Sequence, residues 1–298
     1  MRHSDLFAAS RIRLPPGDGL AYFRGTTSGS GIAVEELPSW VPPEIDWSQP
    51  SVARIYDYAL GGAHNFEVDR QAQDEALKVF PYLSDAAKAN RGFLHRAVRF
   101  CLDEGIRQFL DLGSGVPTVG NVHEVAQAAE PETRVVYVDH DLVAVSHARS
   151  ILADNPRAVV LHEDIRAPHQ ILAHPDTVRL IDFEQPLAVL MVGMLHYVND
   201  AAEPMRLLRE YQDRMAPGSY LVASHLTSDL PEMQAAAPFF DDSRNPMTLR
   251  SRAEIEALLA DFHVVDPGVV FTVQWRPENP PGDRPERSAC YAAVGRRH

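Results

Sequence analysis

Carboxylates and glycines stand at three points where apolar runs end, in a pattern that suits a nucleotide-like ligand. The first is Asp111-Leu-Gly-Ser-Gly115, whose two glycines allow a ligand to approach the backbone closely. The second is Asp139, 28 residues after Asp111, where a carboxylate can accept hydrogen bonds from both ribose hydroxyls. The third is Glu163-Asp164-Ile165, where a carboxylate can accept from the exocyclic amine of adenine and Ile165 can cover the ring. Together they predict a site for an adenosine ligand.

Two well-known glycine motifs begin in the same way, and the sequence departs from both. A P-loop requires Lys and then Ser or Thr after its last glycine, whereas Asn121 and Val122 follow Gly120. The dinucleotide fingerprint requires a third glycine at the position of Thr118. The sequence therefore excludes a P-loop phosphate site. It disfavours a nicotinamide or flavin site, which stays open as an alternative.

A sheet must position these residues, because short apolar strands alternate with helical segments. This alternation predicts a parallel sheet with helices on both faces. A Pro-rich loop joins the last two strands, so we expect them to pair antiparallel. Ligands bind such sheets at the carboxyl ends of the strands. The predicted strands are residues 106–112, 134–138, 158–162, 186–192, 220–224, 264–273 and 289–294.

The segment before the sheet divides into two parts. Six prolines and five glycines stand in the first 50 residues, where no helical or strand period persists. We therefore expect residues 1–45 to be a disordered or loosely attached extension, either functional or the product of a start codon placed too far upstream. Residues 46–105 show helical spacing and predict a helical cap, with Ser84 as an N-cap. Residues 106–298 then form the sheet domain.

A second segment of interest is the connection 227–247, between the fifth strand and the next helix. It is long for such a connection, and long loops often act as lids or binding loops. We expect its aromatic pair, Phe239 and Phe240, either to shape a pocket or to anchor the loop.

The composition of the chain disfavours some classes of binding partner and of cellular location. The 298 residues include 28 basic and 41 acidic side chains, a formal net charge of −13. Nucleic acids and anionic membranes are polyanions and would be repelled, so neither is an expected partner. Only two cysteines occur, which favours a reducing compartment. The longest apolar run has nine residues, and a membrane helix needs about 20. We expect a cytoplasmic protein.

The order of the motifs resembles that of the class I S-adenosylmethionine-dependent methyltransferases. Asp111-Leu-Gly-Ser-Gly115 is similar to their first motif, Asp139 to their ribose-binding acid and Asp164-Ile165 to their adenine position. More narrowly, residues 51–295 resemble an actinobacterial group of S-adenosyl methyltransferases. The matching segments are residues 50–58, 60–62, 65–66, 89–91, 109–115, 121–125, 136–139 and 217–221.

This resemblance implies an α/β, Rossmann-like fold and S-adenosylmethionine as the cofactor. The implied sheet has seven strands in the order 3-2-1-4-5-7-6, with the last strand antiparallel, behind an N-terminal helical cap. We expect the cap to cover the cofactor, and Arg91 to bind the methionine carboxylate through a forked pair of donors. The implied cofactor-binding residues are Tyr56, Asn65, Arg91, Asp111, Gly113, Ser114, Gly115, Asp139, His140, Asp164, Ile165, Gly193 and Met194.

The catalytic requirements of methyl transfer are modest. The methyl carbon is already activated by the sulfonium, so the protein supplies orientation, and a general base only where the acceptor stays protonated. His196, after the fourth strand, is the first candidate for this base, and His225, at the end of the fifth, is the second. Gly193-Met-Leu-His196 stands where amino-group methyltransferases have Asn/Asp-Pro-Pro-Tyr, which argues against a nucleobase or glutamine-amide acceptor. The sequence has no complete H-E-x-x-H motif, so no metal is expected.

We therefore expect a methyltransferase that uses S-adenosylmethionine and acts on a small-molecule acceptor. Two alternatives stay open at this point. One is a non-catalytic regulatory protein that binds S-adenosylmethionine or S-adenosylhomocysteine. The other, disfavoured by Thr118, is an NAD-dependent oxidoreductase.

Overall fold

Parallel strands form the centre of the fold, where the apolar runs of the sequence predict them. The computed structural model describes residues 47–118, 120–199, 203–241 and 246–298, so the predicted extension 1–45 lies outside the described residues. The side chains of Phe239 and Phe240 also lie outside that description. The strands are β1 (Gln108–Leu112), β2 (Arg134–Asp139), β3 (Ala158–His162), β4 (Ala188–Val192), β5 (Tyr220–Leu226), β6 (His263–Val264), β7 (Val270–Phe271) and β8 (Cys290–Arg296).

The strand order confirms the prediction for the sheet. It is β3-β2-β1-β4-β5-β8-β6, with β7 also paired to β8. Strands β1 to β5 pair in parallel, and β8 pairs antiparallel with β5. The order reverses between β1 and β4, which is the point where such sheets bind ligands.

One predicted strand differs from the structure. Residues 264–273 form two short strands, β6 and β7, instead of one, which brings the total to eight strands in the described residues. Pro267 has no N–H to donate to a strand ladder, and Gly268 turns the backbone with a φ of +87°. These two residues therefore interrupt an otherwise apolar, β-branched stretch.

Helices cover both faces of the sheet. They are α1 (Val52–Ala59), α2 (Glu67–Val79), α3 (Leu83–Asp103), α4 (Val122–Ala129), α5 (Leu142–Leu152), α6 (Pro168–Ala173), α7 (Pro175–Leu180), α8 (Glu203–Gln212), α9 (Pro231–Asp241) and α10 (Arg252–Leu258). Ser251 caps α10 and forms a capping box with Glu254. The connection 227–247 contains α9 rather than only a loop. Among the described helices, none is long and apolar enough to cross a membrane.

The N-cap prediction for the third helix was wrong. Tyr82 is the N-cap of α3, and Ser84 lies inside the helix. The Ser84 hydroxyl accepts a hydrogen bond from Gln73 Nε2 at 3.1 Å, which joins α2 to α3. The hydroxyl therefore joins two helices and does not cap α3.

The core has two layers because side chains alternate along each strand. Leu110 and Leu112 of β1 pack on one face, in a cluster that also contains residues of α6, α7, α8 and α10. Phe109 packs on the other face, with residues of α3, α4 and α5. Asp111 follows the same alternation as Phe109, so its carboxyl group lies on the face that α3 covers.

An ion-pair cluster attaches the first two helices to the sheet domain. Arg54 of α1 donates to Asp69 of α2 at 2.8 Å and to Asp141 at 3.5 Å. Asp141 is the N-cap of α5 and accepts from the backbone N–H groups of Val143 and Ala144. Arg54 is 2% exposed, so the pair is buried. The helical cap is thereby anchored beside the end of β2.

Candidate functional site

The glycine loop after β1 is closed against the end of β2. The backbone N–H groups of Gly113 and Ser114 donate to Val138 O at 2.8 and 3.1 Å. Gly115 donates its N–H to Asp139 Oδ2 at 2.7 Å. Gly113 and Gly115 have φ angles of +77° and +69°, a left-handed conformation that favours glycine. The structure thus brings together the first two segments that the sequence singled out.

The end of β4 closes the same loop from the other side. A Cβ atom at Gly113 would lie 2.2 Å from Met194 Sδ, so only a hydrogen fits between the loop and this side chain. Gly193 has a φ of +75°, and a Cβ there would lie 3.2 Å from Asn90 Nδ2. The loop after β1 and the turn after β4 are therefore in direct contact.

Two buried carboxylates flank the glycine loop. Asp111 is 6% exposed and Asp139 is 5% exposed. Burial raises the pKa of Asp111 to about 7, while Arg91 opposes that rise and Asp139 adds to it. Burial also raises the pKa of Asp139, against the hydrogen bonds from the N–H groups of Asp141 and Gly115. This arrangement concentrates negative charge in a place with little water to screen it.

Arg91 of α3 supplies the opposite charge. It lines a cavity together with Asp111, Ser114 and Gly115. Its Nη2 donates to Asn121 Oδ1 at 3.2 Å. Its Nε is buried and has no hydrogen-bond partner in the described part of the chain. A buried donor of this kind needs an acceptor, and a ligand carboxylate would supply one.

The expected adenine end of the site is partly occupied by protein contacts. Asp164 binds Arg166 through both carboxylate oxygens, and this ion pair lowers its pKa. Ile165 is 7% exposed and belongs to the hydrophobic core. His140 is exposed, with its Nδ1 3.9 Å from Asp139 Oδ1. Asp164 and His140 are accessible to a ligand, and Ile165 offers it little surface.

His196 lies in a 3₁₀ turn, Leu195–Tyr197, after β4. It is 4% exposed, and its Nδ1 is buried without a hydrogen-bond partner in the described residues. Burial lowers its pKa well below the ordinary value, and the nearby His225 and Arg250 lower it further. The ring is therefore neutral near pH 7 and keeps an unused nitrogen.

His225 has no unused nitrogen. Arg250 Nη1 donates to its Nε2 at 2.7 Å, and since arginine only donates, the ring proton must be on Nδ1. That nitrogen lies 2.7 Å from Leu226 O and donates to it. Burial lowers the pKa of His225 to about 4. Arg250 also donates to Leu195 O and Val198 O, so His225 orients the arginine that holds the His196 turn.

The two cap residues other than Arg91 have different surroundings. Tyr56 Oη donates to Ala87 O at 3.0 Å and accepts from Asn90 Nδ2 at 3.2 Å. Burial raises the pKa of Tyr56 to about 12. Asn65 donates to Asp57 and to Gly62 O, and its Oδ1 accepts from Arg70. The side chains of both residues are thus used within the cap, Asn65 next to α1 and α2 and Tyr56 against α3.

Three buried polar residues at the site were not among the predicted site residues, namely Asn90, Ser224 and Arg250. Asn90 is 4% exposed and Ser224 is 1% exposed. A signal existed for Asn90, because it interrupts the helical series of apolar residues that runs from Ala86 to Leu102. Ser224 and Arg250 have no comparable local signal, since each depends on partners far away in the chain.

Comparison with known proteins agrees with this arrangement. A family model described as S-adenosyl methyltransferase matches residues 38–298. The fold is similar to that of a protein from Thermobifida fusca YX described as a "putative methyltransferase". The TM-score is 0.83 with 44% identity, over 87% of this chain and 99% of that one. It is also similar to a DUF574 family protein from Streptomyces avermitilis MA-4680, with a TM-score of 0.81 and 35% identity, over 85% and 99% of the two chains. None of the curated proteins matches the chain.

Proposed function

Because the chain belongs to the S-adenosyl methyltransferase family, we propose that it transfers the methyl group of S-adenosylmethionine to a small-molecule acceptor. The observation that supports the location of the site is the hydrogen bond from Gly115 to Asp139, which joins the glycine loop to the expected ribose acid. Family membership favours methyl transfer over the non-catalytic binder and the NAD-dependent oxidoreductase considered above.

The residues present fit this cofactor. The buried Nε of Arg91 lacks an acceptor in the described residues, and a ligand carboxylate would supply one. We assign Asp139 to the ribose hydroxyls and Arg91 to the methionine carboxylate. Asp111, opposite Arg91 in the same cavity, would attract the ammonium group of the methionine part.

The remaining contacts of the cofactor are assigned by position. Ser114 and Gly115 line the cavity beside Arg91. Asp164 would accept from the adenine amine, in exchange for part of its ion pair with Arg166. His140 lies at the open edge of the ribose acid, where its 68% exposed side chain can cover the sugar.

The bound cofactor would supply a methyl group activated by a positively charged sulfonium. The task of the protein is then to orient the acceptor and, where it is protonated, to remove its proton. His196 is the candidate for this second task because it is neutral near pH 7 and its buried Nδ1 has no hydrogen-bond partner in the described residues, although burial makes it a weaker base than an exposed histidine. His225 cannot serve as the base without losing Arg250 or Leu226 O, so we assign it a positioning role.

A small acceptor agrees with the charge and with the cap. The net charge of −13 opposes polyanionic substrates, which would carry their own negative charge to an acidic surface. Helix α3 also approaches the end of β4 closely, as the 3.2 Å distance from a Gly193 Cβ to Asn90 shows. The space beside the site is therefore narrow on that side.

Thermal denaturation with three ligands tests the proposal. S-adenosylmethionine and S-adenosylhomocysteine should each raise the melting temperature, because ligands that bind the native state stabilise it, and NAD should not. A shift with NAD alone would contradict the assignment. Methyl transfer itself is tested with methyl-labelled cofactor and whole cell extract that is separated by size after the reaction, where label is expected in a low-mass product. Label found only in protein or nucleic acid would overturn the small-molecule acceptor.

A further inference from the structure

A continuous chain of hydrogen bonds connects the helical cap to the turn after β4. The Gly193 N–H donates to Ser224 Oγ at 2.8 Å, and the Ser224 hydroxyl donates to Asn90 Oδ1 at 2.6 Å. Asn90 Nδ2 then donates to Tyr56 Oη at 3.2 Å, which donates to Ala87 O at 3.0 Å. Ser224 Oγ and Tyr56 Oη each accept one hydrogen bond and donate another, so the direction of the whole chain is determined. The Gly193 N–H also has a second acceptor, Ser224 O at 3.3 Å.

The centre of this chain of hydrogen bonds is buried, so each polar atom in it needs a hydrogen-bond partner. Asn90 and Ser224 are 4% and 1% exposed. Removal of Asn90 leaves the buried Ser224 hydroxyl without its acceptor, and removal of that hydroxyl leaves Asn90 Oδ1 without its donor, each at a cost larger than the net value of the bond itself. Asn90 therefore holds Ser224 in a single orientation, and Ser224 in turn holds the backbone of Gly193.

Neighbouring residues of α3 reach the two sides of the candidate site. Asn90 acts on the β4–β5 side through Ser224. Arg91 acts on the β1 side, where it donates to Asn121 Oδ1 and lines the cavity with Asp111. One turn of one helix thus spans the gap between the two segments that meet at Gly113 and Met194.

We infer that Asn90 is a positioning residue for the cofactor site, which acts through Ser224 on Gly193 and so sets the distance between the turn after β4 and the glycine loop. This inference rests on the proposed function, because it assigns a role toward the same cofactor. It adds a requirement that the family comparison does not state: these hydrogen bonds must hold the cap against the turn after β4 before the cofactor binds tightly.

Calorimetric titration of the full chain with S-adenosylhomocysteine tests the inference. We expect Asn90→Ala and Ser224→Ala each to weaken binding by about tenfold, the value of one buried hydrogen bond. Because both variants break the same chain, the double variant should bind within about twofold of either single variant. Ser224→Ala leaves α3 unchanged, so it provides a test even if Asn90→Ala folds poorly.

Gln73→Ala is the matched control. Gln73 is 3% exposed and also donates from a side-chain amide to a serine hydroxyl, that of Ser84, but inside the cap. It should lower the melting temperature of the ligand-free protein, by less than Asn90→Ala because the buried Gln73 Oε1 has no hydrogen-bond partner in the described residues, while leaving affinity within about twofold of wild type. A purely structural role for Asn90 would make the two variants alike in affinity as well.

Three results would overturn the inference. They are wild-type affinity in both Asn90→Ala and Ser224→Ala, a double variant whose loss is the product of the two single losses, and an equal loss of affinity in Gln73→Ala. Absence of binding in the wild-type chain is a different result, because it would refute the proposed function and the positioning role together.

Discussion

The backbone N–H of Gly115 lies 2.7 Å from Oδ2 of Asp139, while the N–H of Asp141 lies 2.8 Å from Oδ1 of the same carboxylate. The ends of β1 and β2 are thus joined through one side chain. Both oxygens of Asp139 are held in place, and each keeps a second lone pair for another donor. The carboxylate is therefore oriented before a ligand arrives.

Replacement of Asp139 should eliminate most of the cofactor affinity. Asp139→Ala removes the acceptor for both ribose hydroxyls and the bond that orients Gly115. We expect S-adenosylhomocysteine to bind about a hundredfold more weakly, since hydrogen bonds to charged groups contribute about 1.5–3 kcal/mol each. Calorimetric titration measures this loss. Asp182→Ala is the control and should bind normally, because Asp182 lies beside Gln108 at the opposite end of β1. Undiminished binding in Asp139→Ala would refute the ribose assignment.

The raised pKa of Asp111 predicts opposite pH effects on stability and on binding. In the unfolded chain an aspartate has a pKa of about 3.9, whereas burial raises that of Asp111 to about 7. The unfolding free energy that protonated Asp111 contributes is therefore fully present below pH 4 and is lost as the pH rises to 7. The ionised carboxylate is the form that attracts the ammonium group, so cofactor affinity should increase through pH 7.

Asp111→Asn separates these two effects. It should raise the melting temperature of the ligand-free protein more at pH 8 than at pH 5, because it removes a buried charge. It should also weaken binding of S-adenosylhomocysteine and remove its pH dependence near 7. Melting curves and titrations at both pH values measure the two effects. Equal wild-type affinity at pH 5 and pH 8 would show that Asp111 does not contact the cofactor.

His225 should matter for stability through Arg250. His225→Leu removes the acceptor for Arg250 Nη1, which is buried, and should lower the free energy of unfolding by about 2 kcal/mol. The pKa of His225 is lowered to about 4, so the unfolded chain takes up its proton first as the pH falls. The stability that neutral His225 contributes is present above pH 6.5 and lost as the pH falls to 4.

Urea unfolding at pH 7 and pH 5 tests this prediction. The wild type should lose more stability than His225→Leu between these two values. His169→Leu, at an exposed position, is the control and should behave as the wild type. A His225→Leu variant as stable as the wild type at pH 7 would mean that Arg250 finds another acceptor.

His196 should matter for turnover and little for stability. His196→Phe replaces a buried ring that has an unpartnered nitrogen with an apolar ring of similar shape, so stability should change by less than about 1 kcal/mol. Loss of a general base should lower the methyl-transfer rate by about 10²–10⁴-fold. Labelled methyl transfer measures the rate, and unchanged binding of S-adenosylhomocysteine serves as the control. An unchanged rate would exclude His196 as the base.

The ion pair that anchors the cap should be costly to break from one side. Arg54→Met leaves Asp69, whose side chain is fully buried, without its cation, and should cost about 3 kcal/mol of unfolding free energy. Adding Asp69→Asn removes the unpaired charge and should recover part of that loss. Chemical denaturation of the two variants measures both effects. A double variant less stable than Arg54→Met would show that the charge of Asp69 serves another partner.

Local patterns in the sequence were sufficient to locate the strands of the sheet, whereas the strand order was implied by the resemblance to class I methyltransferases. Apolar runs and capping residues are properties of short segments, so strands β1 to β5 appear close to their predicted positions. The errors also have local causes. Pro267 and Gly268 interrupt the predicted sixth strand. Ser84, whose side chain is typical of an N-cap, lies inside a helix. Helix α9 was hidden in a segment whose length suggested only a loop.

The sequence by itself determined which residues stand at the strand ends, because the end of a strand is set within a few residues. The strand ends located the glycine loop, Asp111 and Asp139, and these residue types suit an adenosine ligand. Only the tertiary structure decided which partners the buried polar groups take. Asn90 meets Ser224 across 134 positions of the chain, and Arg250 occupies the nitrogen of His225 that a base would need. A sequence records donors and acceptors, but folding selects their partners, since burial forces each group to find the acceptor or donor that comes close in space.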